Sequence, residues 1–477
     1  MIKRTYGAHP LMILKFMKPF LFVLVLPVIK GAIQYLITRK ITGVILLETV
    51  AVLAVGFLSF LSFKAFSISV NDKIMVIKQG LLLKKESVIE RNRLSSVTAL
   101  IGPFDLLFRS VTYKINTEAG ISGRTDFSFK LTKSDADELF LFLYGKENRT
   151  ALKFPASKTA IFAAASSSAL TGIVVGVPII NNLGKLLGIA LNRILFDEIS
   201  RASSRFNAYF PPIVNIITAL VLVSYAISFM VTFVKMLNFR LRAGEEKLEA
   251  EYGLFCRRHI IFKKSAVNDV CIEQTPLLRL FGLYSMRAAV GGYGDKRGEK
   301  AIIVPAASRF QIKTQMGVHF PFLHPKVKGI IADRFATTKM RFLWPAELYA
   351  IIDITLTVLL SLFFRSVFLL FSVSGAAVLA VIVYYASVCY RNYCFGEFVL
   401  GDCVFASGSI GLSVRELYCE KDRVGEIELK RTPLDRRKNT CKAQIIICSE
   451  SADSVRVKNI DYKKTLEMIE ICYSVSE

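Results

Sequence analysis

Long apolar runs alternate along this chain with stretches in which apolar and polar residues exchange every one or two positions. A helix crossing the hydrocarbon core of a bilayer needs about 20 mostly apolar residues. The stretches that qualify are Met17–Ile37, Ile41–Phe63, Thr159–Ile180, Phe210–Leu237, Ala346–Phe364 and Ser366–Val388. They fall in pairs: Thr38-Arg39-Lys40 separates the first two, and the last two turn at Arg365. Three hairpins would keep every intervening segment on the same side as both termini. The longer connection inside the second pair, Asn181–Phe206, carries Leu183, Leu186, Leu187, Ala190, Leu191, Ile194 and Leu195 at helical spacing. This predicts an amphipathic helix, lying either in the outer interface of the membrane or against neighbouring spans.

The segments between the hairpins contain short alternating, β-branched runs, the pattern of strands. Aligned on a proline they share one frame: Val97 stands six residues before Pro103, Val270 before Pro276 and Ile427 before Pro433. A glycine lies upstream in each, Gly80, Gly253 and Gly408, at 23, 23 and 25 residues from the proline. The glycine suits a hairpin turn, and the proline ends a strand because it has no N–H for the ladder. Strands are predicted next at Val111–Ile115, Met286–Val290 and Ala443–Cys448. A closing helix is predicted at Glu138–Leu143, behind the capping signature Ser134-Asp135-Ala136-Asp137. Others are predicted at Tyr462–Cys472 and near Ala306–Met316.

The expected architecture combines membrane α-helical hairpins with an α+β portion: three small β-barrel domains, each closed by a C-terminal helix. Residues 1–63 hold the N-terminal segment and helices 1–2, and 64–157 the first domain. Residues 158–235 hold helices 3–4 with the amphipathic helix, 236–345 the second domain, 346–388 helices 5–6 and 389–477 the third domain.

Composition sharpens this. Of 477 residues 53% are hydrophobic and the mean hydropathy is +0.45, yet 62 Lys and Arg against 38 Asp and Glu leave a net charge of +24. Such values conflict for a soluble protein and agree for one whose charges are packed between spans. Lys3, Arg4, Lys15, Lys18, Lys64, Lys73, Lys235, Arg240 and Arg242 flank one side, against Arg39, Lys40, Lys185 and Arg193 on the other. The positive-inside rule then places termini and domains in the cytosol of a multi-pass cell-membrane protein. The first apolar stretch is long and lacks an A-x-A-like end, so it reads as a span and not as a signal peptide.

The nine cysteines include no C-x-x-C and the four histidines are scattered, so no metal or cofactor is expected and the thiols read as reduced. The run from Gly291 to Lys300 lacks the ending of a phosphate loop and reads as a hairpin turn. No nucleophile–base constellation can be assembled, so an enzyme is not expected. Nucleic acid is not expected either, because the charge is spread among tethered domains without a base-stacking motif. Basic clusters recur at corresponding positions: Lys84, Lys85, Arg91 and Arg93 after Gly80, and Arg257, Arg258, Lys263 and Lys264 after Gly253. These are candidates for lipid headgroups, at roughly 1 kcal/mol per cation near an anionic leaflet, or else ordinary solvated faces. Lys30 and Glu48 stand at similar depth in the first hairpin, where they could pair, and Asp353 lies inside the fifth span. Gly172 and Gly176 would permit close helix packing, within the chain or against a partner.

The middle copy, from Val270 through Gln274-Thr275-Pro276-Leu277-Leu278-Arg279 and Phe281-Gly282 to Gly292, resembles the bacterial PH-like domain of the DUF304 or bPH2 type. It departs from the usual turn by inserting Thr275; the first copy keeps Gly102-Pro103 without Phe-Gly, and the third has Arg436-Arg437-Lys438. Paired spans with three such domains resemble the layout of YdbT-type membrane proteins of Gram-positive bacteria. The resemblance implies a PH-like fold, the plasma membrane, a smaller PH-like membrane protein as partner, and a link to envelope stress and antimicrobial-peptide resistance. The expected function is a membrane scaffold contacting membrane lipid, as a homo- or hetero-oligomer. The alternative is a lipid or peptide transporter.

Overall fold

The computed structural model describes residues 4–18, 42–71, 73–81, 83–118, 125–144, 151–187, 191–204, 212–294, 298–323, 330–331, 336–365, 368–447 and 454–474. One order of elements recurs along the chain: a short strand, apolar helices, three strands, a sharp 3-10 turn, three more strands broken by a short helix, and a final helix.

The first unit comprises β1 (Arg4–Gly7), α1 (Ile13–Met17), α2 (Thr42–Lys64), β2 (Ser67–Val70), β3 (Ile74–Gln79) and β4 (Lys85–Glu90). It continues with β5 (Leu94–Ile101), α3 (Pro103–Leu107), β6 (Ser110–Thr117), β7 (Phe127–Thr132) and α4 (Lys133–Tyr144). The second begins with β8 (Ala151–Lys153), then α5 (Ala156–Ser166), α6 (Ala169–Leu187), α7 (Leu191–Ser204) and α8 (Pro212–Met236). Its sheets are formed by β9 (Arg240–Ala243), β10 (Lys247–Tyr252), β11 (Arg257–Lys263), β12 (Val267–Gln274), β13 (Leu283–Val290) and β14 (Ala301–Ser308). The short helix α9 (Pro276–Leu280) interrupts them and α10 (Arg309–His319) follows. The third runs β15 (Ile330–Ile331), α11 (Ala336–Phe363), α12 (Phe368–Phe395), β16 (Glu397–Val399), β17 (Cys403–Ile410) and β18 (Ser413–Glu420). It ends with β19 (Val424–Lys430), α13 (Pro433–Arg437), β20 (Thr440–Ile447), β21 (Ser454–Asp461) and α14 (Tyr462–Ser474).

The strands do not close into the expected barrels. They form open sheets in the orders β1-β2-β3-β4, β7-β6-β5-β11-β10-β9-β8, β14-β13-β12-β18-β17-β16-β15 and β19-β20-β21. Each seven-stranded sheet is composite. The edges of β5 and β12 that closure would need are taken by β11 and β18 of the next unit. Apolar packing crosses the same boundary: Val399, Cys403, Phe405 and Tyr418 of the third unit belong to the core cluster centred on Phe262, Met286 and Phe320 of the second.

The short strands β8 and β15 explain how the helices attach. β8 pairs antiparallel with β9, and β15 with β16, so the chain leaves a sheet, runs through the helices and returns beside its point of departure. Residues 151–153 and 330–331 therefore pair across the helices that follow them, with strands of their own unit.

Among the described residues, Val214–Met236 of α8, Lys339–Phe363 of α11 and Phe368–Phe395 of α12 are long and apolar enough to cross a membrane. The expected span Thr159–Ile180 is not straight. It breaks into α5 and α6, bent by 93°. The serine run causes the break: Ser167 Oγ bonds back to the Ala163 carbonyl at 2.6 Å, and Ser168 Oγ caps the new helix by accepting from the Thr171 amide at 3.2 Å. Residues 19–41, with Lys30, lie outside the described residues, and so does the Glu48 side chain. Asp353 is half-buried in α11. Gly172 and Gly176 are buried where α6 meets α8. A Cβ on Gly172 would overlap the Ser224 carbonyl, and one on Gly176 would stand 3.1 Å from Ile227.

Gly80 and Gly253 occupy hairpin turns with φ of 104° and 108°. The third glycine was assigned wrongly by spacing. Gly408 lies inside β17, where a Cβ would collide with the Arg456 carbonyl, and the turn glycine is Gly411 at φ 57°. Gly408 is needed for the close approach of β21, which alternation alone cannot distinguish from a turn.

Candidate functional site at the inter-unit seams

Two strand pairs join the units, and they use one register. At the first seam Ser96 to Ile101 of β5 face Phe262 to Arg257 of β11. At the second, Asp269 to Gln274 of β12 face Cys419 to Val414 of β18. Counted from the prolines and the 3-10 turns, every pair at one seam has its equivalent at the other. A cation of the later unit also reaches the 3-10 turn of the earlier one in each case: Lys263 Nζ donates to the Asn92 carbonyl, and Arg423 to that of Ser265 at 3.1 Å.

The seams differ in chemistry. Contacts across the first are mainly apolar: Val97, Ile260, Ile261 and Phe262 are buried beside the buried Ser96 and Thr98, while His259 pairs with Glu249 of its own unit at 2.6 Å and lies tilted against the Phe140 ring of α4, 4.6 Å away. The second contains buried charge. Glu273, 6% exposed, accepts from Arg415 at 3.0 and 3.2 Å and lies 3.6 Å from Arg287. Glu416 accepts from Arg309 of α10 at 2.8 Å, and Lys300 meets the fully buried Asp269 at 2.5 Å. Each acid is paired across short distances, which offsets the cost of removing it from water.

The short helix after the proline is held in two ways. In the first unit the Asp105 carboxylate accepts from the Gly102 amide at 3.1 Å, Ser110 at 2.6 Å, Thr112 at 3.3 Å and Lys130. Asp435 repeats this in the third with Thr432, Thr440 and Arg341 of α11. Burial alone would raise both carboxyls, but these hydrogen bonds and the Lys130 and Arg341 charges outweigh it and hold them below the usual range. In the second unit Leu278 replaces the acid and packs with Phe162 and Ala306.

The basic clusters divide accordingly. Arg91 does not face solvent: it donates to the Phe142 carbonyl at 2.9 Å and to Leu143, capping α4, and covers the Phe142 ring. Arg93 pairs with Glu90 at 3.3 Å. Arg258 reaches Glu299 at 3.5 Å, Lys263 belongs to the first seam, and Lys264 is half-buried in a cleft beside His319. Lys84, Lys85 and Arg257 remain exposed. They flank the Gly80 and Gly253 turns, whose tips present Leu83 (88% exposed), Leu254 and Phe255 (65%). The second turn is hydrogen-bonded to the end of the long apolar helix α8, Gly253 to the Leu237 carbonyl at 2.8 Å and Leu254 to that of Val234 at 3.2 Å. In the third unit the Leu412 carbonyl accepts from Tyr384 of α12 at 3.2 Å. The second turn therefore stands at the end of α8, where an apolar tip flanked by a cation matches an interface of headgroups and acyl chains.

Arg415, Arg287, Glu273 and Arg309 were missed by reading the sequence. None forms a motif along the chain; their meeting depends on strand pairing between units. Their only signal was Glu273, an acid two residues before the turn threonine in a strand that also holds Asp269.

The bacterial PH domain family profile matches residues 20–146 and 186–316, more than half of the chain. No curated protein and no solved structure matches significantly. The matched segments contain the proline-framed strands of the first two units and most of the hairpin residues before them, and on that basis the chain belongs to the bacterial PH domain family.

Proposed function

We propose that the chain is a multi-pass membrane scaffold of the YdbT layout, presenting three PH-like domains as one rigid row on the cytosolic leaflet. The single observation that carries this is the pair of composite sheets: six residues on each side of a seam bond the units into fixed relative positions. Independent ligand-binding modules would need no such coupling, whereas a platform does. The third unit repeats the element order of the first two, including Pro433, the 3-10 turn and the final helix, which supports reading it as a third PH-like domain. Lys84, Lys85 and Arg257 would hold the row against anionic lipid, and a smaller PH-like membrane protein would be its partner. A role in envelope stress and antimicrobial-peptide resistance follows from the resemblance to the YdbT layout.

Gentle purification from native membranes, with mass spectrometry of co-eluting proteins and lipids, tests the reading. A stoichiometric membrane-protein partner is expected; a single enriched lipid with no protein partner would replace scaffolding by lipid handling. One feature favours that second reading. A cleft of about 360 Å³ is lined by Phe162 and Met236 and by Arg287, Lys300 and Arg415 together with Glu273 and Glu299, three cations to two acids beside apolar residues, which would leave room for one phosphate on an acyl chain.

A further inference from the structure

The row has two ends, and each leaves uncovered the edge that a seam covers elsewhere. Val88 of β4 corresponds to Ile261 and Tyr418 by its place before the 3-10 turn. It is 64% exposed, where they are 3% and 8%. At the other end β19 corresponds to β5 and β12. Those strands are almost wholly buried, while β19 is exposed or half-exposed throughout. Both β4 and β19 are the last strands of their sheets. Such an edge presents unpaired backbone groups and templates a further strand.

The shared register says what each edge would meet. An incoming strand equivalent to β11 or β18 would pair with Glu426 to Arg431, placing its apolar residue opposite Ile427, as Ile261 faces Val97 and Tyr418 faces Val270. In a second copy of this chain, that register puts Lys85 opposite Lys430 and Lys84 opposite Arg431. Like charges directly opposite are destabilising, so the chain is charged against its own head-to-tail assembly. At the equivalent place within the chain, Glu273 faces Arg415 and pairs with it.

We propose that the outer edge of β19 docks the first-sheet edge strand of a PH-like unit in a separate membrane protein, one with acidic residues opposite Lys430 and Arg431. This rests on the scaffold reading and extends it to a surface, a register and a charge. The added unit would continue the row, its helices beside α11 and α12 and its 3-10-turn cation at the Asp422 carbonyl.

The register can be tested before the partner is known. Purified full-length chain in detergent is expected to remain monomeric by analytical ultracentrifugation. Lys84→Glu with Lys85→Glu should strengthen self-association at least tenfold, by making the two ends complementary. Adding Lys430→Glu and Arg431→Glu should cancel the gain, and so should Ile427→Asp. In native membranes, a photo-cross-linking residue at Glu428 should attach to the edge strand of a PH-like protein with acids at the stated positions. The same residue at Lys463 in α14 should not. Wild type associating as tightly as the charge-swapped chain, a swap without effect, or a Glu428 adduct with a second copy would overturn the proposal. Lipid handling in the purification above would instead remove the scaffold reading while leaving the charge-swap result intact.

Discussion

The two seams have the same backbone and different side chains across it. β5 with β11 and β12 with β18 pair in one register, yet the first is closed by Val97, Ile260 and Phe262 and the second by Glu273, Arg415, Glu416 and Arg309. The geometry therefore belongs to the fold, and the side chains at each seam are a local solution to covering an edge. Apolar contacts tolerate many neighbours. Paired buried charges tolerate few, because a wrong neighbour leaves a charge without a counterion. The second seam is the more selective of the two, and the free edge of β19 carries the same kind of chemistry.

Substitutions should separate them. Glu273→Ala leaves Arg415 and Arg287 without their shared acid and should cost about 3–5 kcal/mol in urea unfolding. Glu273→Leu with Arg415→Leu should recover most of that loss, since removing both charges removes the penalty. At the apolar seam Ile260→Ala should cost about 2–4 kcal/mol by the cavity it leaves, with no rescue from a second substitution across the seam. Equal rescue at both seams would erase the distinction.

Acid should act between the seams, on α10. His319 is buried, and burial together with Lys264 lowers its pKa to about 4. The folded state holds the neutral ring, whereas the unfolded chain takes up the proton near pH 6.5. Stability is thus full above about 6.5 and lost as the pH falls towards 4, by up to about 3 kcal/mol. His319→Gln should flatten that part of the pH dependence of the melting temperature. The smallest effect is expected at the seam-capping cation: Lys263→Met should cost about 1 kcal/mol or less. It should leave the second seam's hydrogen exchange unchanged.

Legibility in the sequence followed the range of the interactions. The strand after each proline and the last helix could be placed because alternation and helical spacing are local, as in Ser110–Thr117 and Tyr462–Ser474. β8 and β15 have three and two residues, too few to show alternation. Their partners lie beyond a helical hairpin, so the point at which each sheet begins was hidden. The break at Ser167 was hidden because serine is tolerated in a span until its hydroxyl finds a carbonyl. Of the basic clusters, Lys84, Lys85 and Arg257 stay exposed beside Leu83 and Phe255. Arg91 was misread because its acceptors, the carbonyls ending α4, are 51 and 52 residues away.

Native-state hydrogen exchange along the strands tests the edge-to-edge row most directly. Amides of β5, β11, β12 and β18 should exchange at the slow, near-global rate, while the outer amides of β4 and β19 exchange orders of magnitude faster. Fast exchange in β11 and β18, matching β4, would mean that the units are not joined through these strands, and the account of the seams would fail.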